Sequence, residues 1–219
     1  MKQLETALKK FIEIRNTYRE YYTHCQFKED EIILETNMFS NLIDKRIPLS
    51  PELKFFYDNC TLKKAILEDC SILNGVSIDT GTSIAYISTP EMLYKRQLGF
   101  RWVGVKEPYW EDDSWERAWV VIADRNEDPI MVDTSKPGSP VLARYEMNDF
   151  TIIAKSLAEF FEVLSIVIEV TYKKYHGEIM NDDGFEISEK FLDDLRIALG
   201  TILDDDTQIE NILDYLYEL

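Results

Sequence analysis

Apolar side chains recur at three- and four-residue steps through Leu4, Leu8, Phe11, Tyr18 and Tyr22, with Ile12 beside Phe11 and Arg15 on the same line. That spacing predicts an amphipathic helix over residues 4–22. EIILE at 31–35 fits either a short strand or a further helical turn. Ser50-Pro51-Glu52 is a helix start, because a serine oxygen accepts a backbone N–H at the N-cap and proline is tolerated at the first helical position. The helix it opens runs to about Asn59 and buries Leu53, Phe56 and Tyr57. Leu62–Leu73 reads as helical or irregular, and Asn74-Gly75 then punctuates the chain.

From there the hydrophobic period changes. SIAYIS at 83–88 alternates as a half-buried strand does, and Thr89-Pro90-Glu91 repeats the cap-plus-proline device to launch a helix around Met92–Lys95. A strand is predicted at Phe100–Val105, and the acidic, tryptophan-bearing EPYWEDDSWE at 107–116 is a long exposed connection. Strands follow at Ala118–Ala123, Ile130–Asp133 and Val141–Tyr145, joined by RNED and SKPGSP, links short enough to make an antiparallel meander. A closing helix is then read from TIIAKSLAEFF onward. Leu157, Phe161, Leu164, Ile168 and Tyr172 form its stripe, widened by Phe160, Val163, Val167 and Val170, so it needs cover on two sides. Ser188 and the Thr207–Glu210 capping-box match open two further helices that can supply that cover.

These elements predict an α+β fold, a mostly antiparallel sheet of about four to six strands packed by helices. The organisation expected is an N-terminal helix (1–26), an α+β domain (27–164) and an acidic helical C-terminal extension (165–219) packed on it.

Charge changes the picture next. In 219 residues, 45% of them hydrophobic, 41 Asp and Glu face 24 Lys and Arg, a net charge of −17. Residues 151–219 hold 16 of the acids and only 5 of the bases. Such a field repels phosphate backbones and anionic lipid, so neither nucleic acid nor membrane is expected as partner, and a basic protein is. High net charge also serves solubility alone, so it does not choose a function by itself. Cys25, Cys60 and Cys70 form no CxxC pair and are expected as reduced thiols. The N-terminus lacks the apolar run of a signal peptide, and VLSIVIEV is too short to span a bilayer, so a cytoplasmic location is expected.

Candidate chemistry is thin. Asp124, Asn126 and Asp128 copy the first ligands of a calcium loop, but Pro129 and Ser135 stand where that loop needs glycine and a bidentate glutamate, which leaves an Asp/Asn-rich strand turn. No metal or other cofactor is indicated. His24 and His176 fall at element ends, and no GxSxG, HExxH, Walker or dinucleotide glycine pattern occurs. The better candidate is a contact surface made of Tyr109, Trp110, Glu111, Asp112, Asp113, Trp115 and Glu116, joined by the loop acids Asp182 and Asp183. Aromatic anchors ringed by one sign of charge suit a specific interface with a basic protein. Trp102 and Trp119 fall on strands, so Tyr109, Trp110 and Asp112–Asp113 are the members expected to be exposed.

The succession LSPELKFFYDNC (49–60), SILNG (71–75), SIAYISTPEML (83–93), WERAWVVIADRNEDPIMVDTS (115–135) and IAKSLAEFFEVL (153–164) resembles the SUKH superfamily, over residues of about 27–164. That superfamily holds cell-wall-synthesis regulators and many bacterial immunity proteins of polymorphic toxin systems. Many members carry glycines after the I-A-D strand, where this chain has Arg125-Asn126-Glu127-Asp128. The resemblance implies an α+β fold, no catalytic residues, and a protein that neutralises a toxin domain, often one that attacks nucleic acid and is basic; the chain itself is expected to be a monomer or weak homodimer. The alternative it implies is a signalling or scaffolding adaptor.

Overall fold

In this computed structural model, which describes residues 1–21, 30–63, 75–146, 148–181 and 183–219, the N-terminal periodicity is realised as helix α1 (Lys2–Tyr18). It buries Leu4, Leu8, Phe11 and Arg15 along one line and ends in a tighter turn at Arg19–Tyr21. The ambiguous EIIL is strand β1 (Glu31–Leu34). After α2 (Pro51–Asn59) it pairs antiparallel with β2 (Cys60–Lys63). Ser50 caps α2 as its pattern requires, its Oγ accepting the Leu53 N–H at 3.0 Å. The stretch read as helical or irregular therefore opens as a strand. Its remainder lies outside the described residues, as do Tyr22, His24, Cys25, Cys70, Asn74 and Asp182.

β3 (Gly75–Asp79) and β4 (Ile84–Ser88) form a hairpin, followed by a short turn of helix at Pro90–Met92 and α3 (Leu93–Arg96). The strand predicted at Phe100–Val105 contracts to β5 (Trp102–Val103), and it pairs with β6 (Trp110–Glu111), a strand inside the stretch 107–116 that is expected from its sequence to be an exposed connection throughout. Gly104, at φ +134°, ends β5, and a Cβ there would sit 3.0 Å from the Trp110 ring. The meander follows as predicted: β7 (Trp119–Arg125), β8 (Asp128–Asp133) and β9 (Val141–Ala143).

The closing helix needs a larger correction. Thr151–Ala154, read as its first turn, is strand β10, paired antiparallel with β9. Two consecutive isoleucines after a threonine favour the pleated surface over a helix end. The helix α4 (Leu157–Ile168) starts where Ser156 Oγ accepts the Glu159 N–H at 3.1 Å. It runs on as a π-turn at Glu169–Lys174 and is followed by α5 (Glu189–Leu199) and α6 (Asp206–Tyr217). Asp205 caps α6, its carboxylate taking the Thr207 N–H at 3.1 Å; Thr207 itself lies inside the helix. Ser188 holds the N-cap position of α5 without a side-chain capping bond.

Six strands make one antiparallel sheet in the order β10-β9-β8-β7-β4-β3, and α4 lies across one face of it. Phe160, Val163 and Leu164 meet Ile78, Ile87, Ala123 and Ile130 of the sheet, with Ile212 and Leu216 of α6 alongside. Phe161 packs instead against Phe11 of α1 and Phe56 of α2, each ring centroid 5.1 Å away. The two-sided cover demanded by the wide apolar helix is thus supplied by the sheet, α1, α5 and α6, and the buried side chains of all of them form one core.

At each edge of the sheet a buried polar side chain bonds to an outward backbone group, which leaves fewer unpaired N–H and C=O groups to invite edge-to-edge pairing. On β3, Asp30 accepts the Ser77 N–H and hydroxyl, each at 2.5 Å, while Arg15 donates to the Ser77 carbonyl at 3.0 Å and pairs with Asp30. On β10, Gln208 of α6 donates to the Ile153 carbonyl at 3.2 Å. Among the described residues, no helix is long and apolar enough to cross a membrane.

Candidate functional site

The loop between β5 and β7 grows out of a rigid base. Gln97 at the end of α3 is buried, and its amide both donates to the Val121 carbonyl at 2.7 Å and accepts the Val121 N–H at 2.9 Å. It thereby satisfies β7 beyond the point where β4 stops pairing with it. Trp102 follows on β5, only 7% exposed, with its ring 4.9 Å from Tyr94. On the far side, Trp115 packs against Phe100, Trp119 and Phe150 at centroid distances of 5.8, 5.9 and 5.8 Å, and its Nε1–H donates to the Trp119 carbonyl at 3.2 Å.

Between these two aromatic anchors the polar groups hold the loop in one shape. Arg101 donates to Glu111 at 2.6 Å and to the carbonyls of Arg46 and Arg117 at 3.3 and 3.2 Å. Asp112 accepts the Ser114 N–H at 2.8 Å and its hydroxyl at 2.7 Å, and these bonds hold the Asp112 carboxyl below its ordinary range. On this frame Trp110 stands 62% exposed. Asp113 and Glu116 are exposed, and Tyr109, Glu111 and Asp112 are half-buried. Of the sequence candidates, then, Trp110, Asp113 and Glu116 face solvent, while most of the Trp115 ring is committed to the fold.

Asp183 lies elsewhere. It stands between Met180 and Ile187, which bridge, and its carboxylate takes the Phe185 N–H at 3.1 Å. Ile179, just before this turn, packs on the β3–β4 connection, where a Cβ on Gly81 (φ +99°) would meet it at 2.7 Å. That connection is at the Arg125 end of β7, since Ala85 pairs with Arg125. The aromatic loop enters β7 at its other end, Trp119, roughly 20 Å away at about 3.3 Å per residue. The loop and Asp183 are therefore not one patch.

The Asp124-Asn126-Asp128 motif is a hairpin. Arg125 pairs with Asp128 around a two-residue turn, Asn126 (φ 51°) and Glu127 (φ 74°), whose two positive φ values match the twist of the strands. The register sends Asp124 and Asp128 to opposite faces of the sheet. Asp124 pairs with Arg96 at 2.6 Å in a cavity also lined by Lys95 and Glu127, and burial pushes its carboxyl above the usual range against the pull of Arg96. Asp128 is also raised by burial and accepts the Glu146 N–H at 2.8 Å. Among the described residues no group of three or more His, Cys, Asp or Glu is placed to hold a metal ion. Cys60 is a buried thiol whose pKa burial pushes up to about 12.

One feature had no sequence signal. Arg46, remote from the loop in sequence, lays its guanidinium 3.9 Å over the Tyr94 ring and 5.9 Å from Trp102, beside Tyr109 and Pro108. Compared with known protein families, curated proteins and solved structures, the chain matches none of them.

Proposed function

We propose that this protein is a non-enzymatic binding module, an immunity-type protein of the SUKH kind that captures and blocks a basic toxin domain. The observation that carries the reading is Trp110, exposed on a loop held by the Trp115 cluster, the Arg101–Glu111 pair and the Asp112 turn, and followed in the chain by Glu111, Asp112 and Asp113. An aromatic side chain on a pre-ordered loop loses little conformational entropy on binding, so more of its contact energy is kept as affinity. The net charge of −17 adds electrostatic steering of a basic partner. The turn at which this chain departs from the family pattern is compatible with the resemblance, because Asn126 and Glu127 take positive φ values of the kind that glycine adopts readily.

Co-expression with the toxin-domain protein encoded beside its gene tests the reading. A stable complex and growth rescue are expected, with Trp110→Ala dissociating roughly 10- to 30-fold faster. Absence of both complex and rescue would overturn it. An association rate indifferent to salt, despite a complex, would fit the scaffolding alternative better.

A further inference from the structure

Between α3 and the start of the aromatic loop lies a cleft of about 580 Å³ lined by Tyr94, Trp102, Pro108 and Tyr109, with Arg46 and Glu107 completing it. Its chemistry is displayed by what already sits there. The Arg46 guanidinium rests over the Tyr94 ring at 3.9 Å and donates to the Tyr94 hydroxyl at 3.0 Å, and Arg101 approaches the Trp102 ring to 4.5 Å. Aromatic faces attract cations, and a planar guanidinium both stacks on them and forks onto a carboxylate.

The resident cations are already matched. Arg46 binds Asp44 through Nε at 2.8 Å and Nη2 at 2.7 Å, an arrangement that drops the Asp44 pKa to about 2. Arg101 is paired with Glu111 at 2.6 Å. Glu107 is exposed and, among the described residues, has no ion-pair partner. The loop from 104 to 117 carries Glu107, Glu111, Asp112, Asp113 and Glu116 against only Lys106 and Arg117, so the local field favours one more cation.

The geometry points to this cleft as the seat of an arginine side chain from the basic partner, which takes the Tyr94 face from Arg46 and pairs with Glu107. The identity of the partner rests on the function proposed above; the arginine chemistry rests on the cleft. Arg46 is an exposed side chain held by a surface ion pair with Asp44, one hydrogen bond to the Tyr94 hydroxyl and the Tyr94 and Trp102 rings, contacts that are individually weak at the surface, so it is a displaceable occupant.

The test titrates Nα-acetyl-arginine amide into the full chain while the indole N–H signal of Trp102 is followed by NMR. Nα-acetyl-citrulline amide, similar in shape but uncharged, is the control. A saturable shift is expected with the arginine compound alone. Arg46→Ala, which removes the internal competitor, should bind it about 2- to 5-fold tighter, and Glu107→Gln about 2- to 5-fold weaker. An equal response to citrulline, or an Arg46→Ala chain that binds no tighter, overturns the assignment. Neither titration contains the partner protein, so a failure here leaves the function proposed above standing, and a failure to capture a partner leaves this arginine seat standing.

Discussion

Glu127 is the residue at which local preference and fold disagree most plainly. It occupies the second position of a two-residue hairpin turn at φ 74°, where a Cβ crowds the following carbonyl and glycine does not. Glu127→Gly should therefore stabilise the protein by about 1 kcal/mol, read as a higher urea midpoint at unchanged slope. A lower midpoint would show that the Glu127 side chain contributes more than its backbone costs. Arg15 presents the opposite case. It is fully buried, and its guanidinium serves Asp30 and the Ser77 carbonyl together. Arg15→Leu leaves the Asp30 carboxylate buried without its charge partner and opens the β3 edge, so a loss of about 3–5 kcal/mol is expected in the same unfolding measurement. Neither role was visible in the sequence. The helical period placed Arg15 on the buried line of α1, but its partners come from residues 15 and 62 positions further along the chain.

At the scale of elements, regular periods translated well and short pieces did not. α1, α2, β4 and the β7–β9 meander carry several repeats of their period or a Ser-Pro cap, and each was legible within a few residues. β6 and β10 have two and four residues and exist because a neighbouring backbone pairs with them, a cause no local pattern records, whereas β5 was legible as a strand and only its length was overread. The same limit applied to the candidate surface. That 107–116 is a connection could be read from Pro108 and its acids, whereas the folding inward of Trp115 and the distance to Asp183 depend on sheet register. α6 shows what tertiary pairing adds. Arg125, fully buried on β7, donates to the Tyr215 carbonyl at 2.6 Å and pairs with Glu218, while the Tyr215 hydroxyl donates to the Asp128 carbonyl at 2.9 Å. Ile209, Ile212, Leu213 and Leu216 bury the rest of the helix in the common core. Leu213→Ala should therefore cost about 2–5 kcal/mol by denaturant unfolding. Removal of residues 204–219 should yield an aggregating product, and a truncated chain that stays soluble with an unchanged midpoint would show that α6 is dispensable.

For the whole molecule, the −17 charge acts in two directions at once. Within the folded chain it is self-repulsion, concentrated in the C-terminal third, where 16 acids face 5 bases. Toward a basic partner it is attraction. Salt screens both, with a Debye length near 10 Å at about 0.1 M that falls to roughly 3 Å at 1 M. The surface ion pairs that salt would weaken, such as Lys9–Glu5 and Lys173–Glu169, are exposed helix pairs that each contribute little in high-dielectric solvent, and they do not offset a charge imbalance of this size. The buried Arg15–Asp30 pair is largely shielded from screening. Raising sodium chloride from 0.05 to 0.5 M should therefore raise the unfolding midpoint of the free protein while lowering its association rate with a basic partner by on the order of 10-fold or more. Dissociation, set by Trp110 and its ordered surroundings, should change little over the same range. Opposite signs in the two measurements would separate global charge from local pairing. A midpoint that falls with salt would mean that specific ion pairs outweigh the net repulsion, and the acidic surplus would then need a structural explanation rather than one in terms of partner capture.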